Sequence, residues 1–287
     1  MKRTLSILIL LLVIGCTTKV EEIKNPTNGK LLLRYEYKLD KDNQKIKHGN
    51  SIEWNKRGTK IKESNYDDGK LDGLYMVWNK DGILKKKVNY KDGKPHGKGT
   101  EWKDDGTLSK ELNFAQGEID GENKVYLNDS TVRISTFQSK KTNGPHRVEK
   151  IDGTIITEGQ HKAGNPTGTW NYYDNKGELK FKLHFKDGVC QELIGEWRLK
   201  QDPGITYSFL DDGTYGLTKM AFGKAIPIRS GELQFSNKVR FKKGEILVFV
   251  DYGAISEYEI ESINKNQIEL SFLSPKGRKE ITLERID

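Results

Sequence analysis

The sequence is poor in the residues and motifs from which most enzyme active sites are built. Its 287 residues include only two cysteines and five histidines. It contains no P-loop, no serine nucleophile elbow, no HExxH zinc motif and no cysteine–histidine set at metal-binding spacing. The carboxylates are scattered through glycine-rich turns. We therefore expect a protein without catalytic activity, cofactor or resident metal.

The sequence also lacks a hydrophobic run long enough to cross a membrane. Its main apolar run, from Leu5 to Ile14, reaches only about 15 Å as a helix, roughly half of a ~30 Å hydrocarbon core. Lys2 and Arg3 precede the run, so residues 1–15 have the zones of a secretory signal peptide. The composition, 34% hydrophobic and 31% charged residues, predicts about two surface-rich β domains after it.

The end of the apolar run, VIGC, resembles the lipobox of bacterial lipoproteins. The resemblance implies that Cys16 is diacylated, and acyl chains at about 0.8 kcal/mol per buried CH₂ would anchor the protein almost irreversibly. The alternative is an ordinary signal peptide with an incidental cysteine. Residues 16–28 are then expected to form a polar tether. By analogy with Gram-negative sorting, Thr17 after the cysteine favours the outer membrane of the cell envelope.

Lipidation of Cys16 would leave Cys190 without a partner, so no intramolecular disulfide is expected. Cys190 is interpreted as a packed, inert thiol, because the nearest histidine in sequence, His184, is not adjacent to it.

Residues 29–188 contain the strongest signal in the sequence, an internal repeat of 24 residues. The pattern loses one residue after Gly121 and then continues to Gly188. It predicts about six repeats, of which the first has diverged from the pattern and the fourth is degraded around Ser130. The main series are Gly49, Gly73, Gly97 and Gly121, then Trp54, Trp78, Trp102 and Tyr126, and finally Tyr66, Tyr90 and Phe114.

Each repeat is predicted to form two short strands joined by glycine turns that need positive φ. Alternation predicts that each repeat has one apolar face and one charged face, with Lys85 and Lys87 directed to solvent. One repeat alone buries too little to fold, so the units are expected to stack. The predicted apolar face consists of Leu74, Met76 and Trp78 on the first strand and Leu84, Val88 and Tyr90 on the second.

The stretch Tyr90–Gly106, YKDGKPHGKGTEWKDDG, resembles the unit of the MORN-repeat variant family, which includes YwqK-like antitoxins. The resemblance covers residues 29–188. It implies an elongated sheet of β-hairpins with a scaffolding or binding role. The antitoxin label implies toxin immunity, but none of these residues indicates a toxin partner.

The excess of positive charge lies in the repeats. Residues 29–188 have 31 Lys and Arg against 24 Asp and Glu, whereas residues 189–287 have 14 Lys and Arg against 15 Asp and Glu. Lys85 and Lys87 are the candidate basic contact face for anionic lipid or polysaccharide, and a solvated repeat face is the alternative. Nucleic acid is not an expected partner of an envelope protein.

The histidines do not suggest a metal site. His48 and His96 each precede a repeat glycine and lack a nearby His or Cys, so they are interpreted as turn histidines. His146, His161 and His184 lie at other positions and suggest no ligand set.

After Gly188 the repeat ends, and residues 189–287 contain about eight strand-like runs typical of an up-and-down barrel or a sandwich. LIGEWRL resembles the opening GxW motif of lipocalin-like domains at Gly195 and Trp197. The resemblance implies that a late-strand arginine, here Arg285, packs across Trp197. The domain is short for that family, so two alternatives remain: an interior filled by side chains, or an interior with a ligand cavity.

Three functional hypotheses follow. The leading one is a non-catalytic envelope lipoprotein whose repeat sheet binds a protein or a cell-surface polymer. The second is a carrier or sensor of a small hydrophobic ligand in the barrel, and the third is toxin immunity. An enzyme is the least favoured class.

Overall fold

The computed structural model describes residues 18–212, 214–221, 224–236, 246–251, 254–274 and 277–286. Every helix or strand assigned in these residues is a β-strand, which confirms the all-β prediction. Within this part of the chain there is no helix with the length and hydrophobicity to span a membrane. The predicted signal peptide and Cys16 lie outside the described residues, so both stay predictions.

Sixteen strands form one antiparallel sheet, which confirms the predicted β-hairpin sheet. The strands follow each other in chain order, except that β9 pairs only with β8 and β8 continues to β10. The first eight are β1 (Lys19–Lys24), β2 (Leu31–Leu39), β3 (Lys45–Trp54), β4 (Lys60–Asp67), β5 (Lys70–Trp78), β6 (Leu84–Lys91), β7 (Lys94–Trp102) and β8 (Leu108–Ala115). The second eight are β9 (Glu118–Ile119), β10 (Gly121–Asn128), β11 (Thr131–Gln138), β12 (Lys141–Lys150), β13 (Ile155–Lys162), β14 (Asn165–Tyr173), β15 (Leu179–Lys186) and β16 (Val189–Cys190).

Within the predicted tether of residues 16–28, Lys19–Lys24 forms strand β1, which pairs with β2. Lys45 Nζ lies 2.7 Å from Glu21 Oε2, and the Tyr35 hydroxyl donates to the same oxygen. A strand at the edge of a sheet needs few apolar residues, and charged residues there discourage edge-to-edge pairing. This is why a polar sequence concealed the strand.

The turns tie each repeat to the one before it. In the β6–β7 turn Asp92 and Gly93 have φ of 50° and 80°. Two consecutive residues with positive φ are characteristic of a type I′ hairpin turn, which explains the glycine. The Gly93 N–H donates to the Leu71 carbonyl at 2.8 Å. At the other end of the strands, Asn79 Oδ1 accepts the Ile83 N–H at 2.9 Å.

Both faces of the sheet carry aromatic side chains, so the prediction of one apolar face and one charged face is wrong. Residues directly opposite each other on antiparallel strands share a face. Tyr75 lies opposite Val88, whereas Met76 lies opposite Lys87. We call the face of Tyr75 and Val88 face A, and the face of Met76 and Lys87 face B.

The two aromatic series also separate between the faces. Tyr66 lies opposite Gly49 on face A, whereas Ile52, two residues before Trp54 on the same strand, lies opposite Glu63 on face B. Alternation fixes faces only within one strand. The register across a hairpin depends on its turn and on strand irregularities, such as the register shift beside Trp54. The turn and these irregularities therefore determine which residues of two strands lie opposite each other.

The recurrence of glycine with an aromatic residue has a direct structural reason. In five repeats the glycine lies opposite the second aromatic position, and it has a positive φ, 101° at Gly49 and 102° at Gly73, which favours glycine over other residues. These pairs are Gly49 with Tyr66, Gly73 with Tyr90, Gly121 with Phe137, Gly144 with His161 and Gly168 with Phe185.

Eight further strands close a separate antiparallel barrel, with β24 pairing back onto β17. The predicted number of strands is confirmed. In the described part, Trp197, Phe209, Ile260 and Leu283 are at most 1% exposed and fill the interior. The strands are β17 (Gly195–Leu199), β18 (Ile205–Phe209), β19 (Thr214–Ala221), β20 (Lys224–Ser236), β21 (Ile246–Asp251), β22 (Ala254–Ile263), β23 (Gln267–Ser274) and β24 (Gly277–Arg285).

The chain forms two compact units, with β1–β7 in the first, β9–β24 in the second, and β8 divided between them. The second unit therefore contains the later repeats together with the barrel. One buried apolar cluster runs from Trp170 and Leu183 in the last repeat through Leu193 to Trp197 in the barrel. The barrel and the last repeat thus share a hydrophobic core.

Candidate functional site

Six half-buried side chains on face A of β2–β6 form the candidate binding surface. We call them the tyrosine–lysine face. Between them lie Ser51, opposite Tyr35, and Ser64, opposite Tyr75, and both serines are 1% exposed. These short side chains are buried because the larger neighbouring groups cover them. The tyrosine–lysine face consists of Tyr35, Tyr37, Lys47, Tyr66, Tyr75 and Tyr90.

Lys47 is the charged group of this face. Its Nζ lies 5.5 Å from the centroid of the Tyr35 ring and 4.8 Å from that of Tyr66. Such cation–π contacts contribute about 0.5–1 kcal/mol each at exposed sites. Lys47 has no ion pair with a carboxylate within the described residues. It therefore offers an uncompensated ammonium group between two rings.

Four of the tyrosine rings form two pairs, and the ring centroids of Tyr35 and Tyr37 are 5.8 Å apart. The Tyr75 and Tyr90 ring centroids are 5.5 Å apart, and burial raises the pKa of Tyr90. The hydrogen bond to Glu21 raises the pKa of Tyr35. The face thus combines neutral rings with one free positive charge. This chemistry suits a partner with apolar C–H surfaces and an acidic group.

The predicted basic face of Lys85 and Lys87 does not form a free cationic stripe. Lys85 Nζ lies 2.9 Å from Asp104 Oδ1, and this carboxylate compensates its charge. Lys87 is exposed on face B, opposite Met76 and Thr100. The sequence showed the lysines but not the acidic partner that the fold brings to Lys85.

The two histidines with a candidate metal role lie apart, because His48 is on β3 and His96 is on β7 with three strands between them. His48 Nδ1 is 3.1 Å from Asp67 Oδ1 and 3.3 Å from Asp68 Oδ1. Lys38 forms an ion pair with the Asp68 carboxylate, so a lysine of the protein already compensates the negative charge of this carboxylate. The Lys38–Asp68 ion pair therefore already occupies part of this group beside a turn.

The buried His146 and the half-buried His161 form an aromatic cluster with Trp170 that was not predicted from the sequence. The His146 and His161 rings lie 5.2 Å and 5.1 Å from the Trp170 ring. Burial lowers the pKa of His146 to about 3 and that of His161 to about 4, so both are neutral at physiological pH. His146 Nδ1 is 2.9 Å from Ser135 Oγ, but both residues are at most 5% exposed. The pair is therefore structural.

The signal for His161 was present in the sequence. The second aromatic series continues beyond Phe114 through Phe137 to Phe185, and His161 stands 24 residues after Phe137. The prediction that His161 lies outside the repeat pattern is wrong, because the histidine replaces an aromatic ring opposite Gly144.

Cys190 is buried beside a carboxylate. Its Sγ lies 3.5 Å from Glu192 Oε2, and Glu192 also pairs with His184. Burial, followed by the charge of Glu192, raises the pKa of the Cys190 thiol well above its usual value. Thiolate formation is disfavoured, so the geometry opposes nucleophilic chemistry here.

The three barrel residues predicted from the sequence, Gly195, Trp197 and Arg285, lie close together where β24 pairs with β17. Arg285 Cζ lies 4.2 Å from the Trp197 ring centroid. Arg285 Nη1 donates to the Ile194 carbonyl at 3.0 Å, and Nη2 donates to the Glu192 carbonyl at 2.9 Å. Gly195 has φ of 128°, and any side chain there would press on the Arg285 guanidinium. The arginine covers the tryptophan and ties the barrel to the segment that precedes it.

Comparison with known proteins identifies the repeats. Residues 71–92 and 166–187 match the MORN repeat variant. The two segments fall on β5–β6 and β14–β15, and such MORN repeats suggest a binding or scaffold role.

No curated protein matches the chain. Among solved structures, the crystal structure of BamB from Moraxella catarrhalis is similar at 9% identity, over 94% of this chain and 100% of that one. Its TM-score of 0.16 does not establish a shared fold.

Proposed function

We propose that the protein is a non-catalytic lipoprotein of the cell envelope, anchored through Cys16 to the outer membrane, and that its MORN repeats bind an extended partner. The tyrosine–lysine face is the observation that carries this proposal. The partner is a protein segment or a cell-surface polymer with acidic groups.

The chemistry of the face supports a binding role more strongly than a purely structural one. Tyrosine rings supply large contact areas at a low cost in side-chain entropy and are enriched at interfaces. The rings of Tyr66, Tyr75 and Tyr90 are half-buried and already positioned by the sheet. A partner that stacks on them and pairs with Lys47 would need little rearrangement of the repeats.

Strand β1 supports an anchor close to the repeats. It begins at Lys19, three residues after the predicted lipidated cysteine. If Cys16 carries lipid, the sheet begins next to the membrane surface instead of at the end of a long tether.

The barrel is proposed to be a structural partner of the repeats. Its GxW motif and the packing of Arg285 on Trp197 support a lipocalin-like relationship. However, the described interior is occupied by large side chains such as Phe209 and Ile268. These residues favour a filled barrel over a carrier of hydrophobic ligands.

Chemical cross-linking in intact envelopes, followed by mass spectrometry, tests the binding role with a matched pair of variants. Lys47→Ala and Lys87→Ala remove the same charge from face A and face B, respectively. We expect a reproducible cross-linked partner whose yield falls several-fold in Lys47→Ala and stays unchanged in Lys87→Ala. Absence of any reproducible partner, or equal losses in both variants, would contradict the proposal.

A further inference from the structure

A polar cavity of about 320 Å³ lies against strands β10–β14 in the second unit. This volume is at the lower end of the ~300–1,000 Å³ typical of small-molecule sites. The cavity is separate from the tyrosine–lysine face, which belongs to β2–β6. Its hydrogen-bonding side chains include Glu122, Thr136, Arg147, Glu158, Thr169 and Asn171.

Glu158 is the best-positioned group of the cavity. Its Oε1 accepts hydrogen bonds from the Tyr173 hydroxyl at 2.6 Å and from Asn171 Nδ2 at 3.3 Å. The hydrogen bond between Tyr173 and Glu158 raises the pKa of Tyr173, which keeps the phenol protonated as a donor. Both contacts use one carboxylate oxygen, so the second oxygen is available to a ligand. A carboxylate fixed in this way is preorganised for recognition.

Several other groups around the cavity lack intramolecular partners. Among the described residues, no side-chain hydrogen bond engages the Glu122 carboxylate or the Thr136 and Thr169 hydroxyls. Arg147 Nε lies 2.9 Å from Glu149 Oε2. The cavity therefore has free acceptors and hydroxyls, whereas its guanidinium is already paired with a carboxylate outside it.

We propose that this cavity binds a neutral saccharide. Two carboxylates and only one paired guanidinium give an excess of negative charge, which disfavours phosphate and uronate ligands. Sugar hydroxyls both donate and accept, so they match carboxylates and threonine hydroxyls together. Pro145 is exposed and adds apolar contact area for the C–H groups of a sugar ring. The inference is independent of the tyrosine–lysine face.

Saturation-transfer NMR and titration calorimetry on the full chain carrying Cys16→Ser test the ligand class. The probes are cellobiose, N,N′-diacetylchitobiose, their tetramers and a glucuronate-containing disaccharide. We expect saturable binding of at least one neutral disaccharide. Tighter binding of its tetramer would identify a polymer chain as the source, and equal affinity would identify a free oligosaccharide. Failure of every neutral probe, or tighter binding of the glucuronate probe, would overturn the inference.

A matched pair of variants tests the site. Glu158→Gln should weaken binding at least tenfold. Glu111→Gln should leave it unchanged, because Glu111 also accepts a tyrosine hydroxyl, that of Tyr126 at 2.8 Å, but does not line the cavity. Thr169→Val removes one hydroxyl with little change in shape and serves if Glu158→Gln unfolds. Equal affinity in Glu158→Gln and Glu111→Gln, or unchanged affinity in a folded Thr169→Val, would reject this site. Neither result bears on the Lys47 experiment.

Discussion

His161 shows how a single repeat position can change chemistry while keeping its packing role. It stands opposite Gly144, where the neighbouring repeats have Phe137 opposite Gly121 and Phe185 opposite Gly168. Its ring packs edge-on against Trp170. The histidine therefore keeps an aromatic contact but adds a group that the folded protein holds neutral.

His161 should make the folded protein sensitive to acid. Burial lowers its pKa to about 4, below its value of 6.5 in the unfolded chain. Between these values the unfolded chain binds a proton that the folded chain does not, so the free energy of unfolding falls as pH falls. One such proton contributes a slope of about 1.4 kcal/mol per pH unit.

Replacing His161 by Phe, the residue of the neighbouring repeats, should lower the slope by about 1.4 kcal/mol per pH unit between about pH 6.5 and 4, while the slope that His146 contributes remains. Urea unfolding at a series of pH values measures it. His96→Phe, at an exposed position, is the control and should keep the wild-type slope. An unchanged slope in His161→Phe would show that the folded protein does not suppress protonation at this site.

Individual residue roles followed from the sequence only where a local pattern fixed them. The repeat glycines, Tyr66 and Tyr90 were predictable from their spacing. Tyr75 and Lys47 were not, because Tyr75 lies between two residues assigned to the apolar face and Lys47 is one of many lysines. Their role depends on strand register, which places Lys47 over Tyr66.

At the scale of elements, strand identity was easier to predict than strand pairing. Alternation and turn glycines are local signals, and they predicted the hairpin sheet and the eight strands of the barrel. Register is a property of two strands and their turn, and shifts such as the one between Val77 and Trp78 exchange the neighbours of a residue. The faces of the repeats therefore could not be derived from alternation alone.

Strand β1 gives a direct test of the revised N-terminal boundary. Amide hydrogens of residues 19–24 should exchange slowly in the wild-type protein, whereas a tether would exchange as fast as unstructured peptide. Glu21→Ala should accelerate their exchange, because Glu21 joins β1 to Lys45 and Tyr35. Glu22→Ala, at the neighbouring exposed position, should have little effect. Fast amide exchange of residues 19–24 in the wild type would show that these residues form a flexible tether and not a strand.

At the scale of the molecule, the barrel depends on the repeats for part of its core. Trp170, Phe181 and Leu183 of the last repeat belong to the same buried cluster as Trp197 and Leu283 of the barrel. Lys180 Nζ also lies 3.5 Å from Glu261 Oε2 of β22. A boundary drawn at residue 188 from the end of the sequence repeat cuts through this cluster.

Fragments with two start points measure this dependence. A fragment of residues 165–287 keeps β14 and β15, whereas residues 189–287 lose the large side chains that cover the cluster. We expect the shorter fragment to unfold at least ~5 °C lower, because about 1 kcal/mol shifts the midpoint by that much in a domain of this size. Circular dichroism follows the transition. Equal midpoints would mean that the barrel is independent of the repeats.

We propose above that the repeats bind their partner through the tyrosine–lysine face. The most direct measurement places a photo-cross-linking phenylalanine analogue at position 75 or position 76 in the intact envelope. These two positions are adjacent in β5 and similarly half-buried, but they project from opposite faces. We expect a discrete adduct from position 75 and none from position 76. Adducts from position 76 alone, equal adducts from both, or none from position 75 would contradict this proposal.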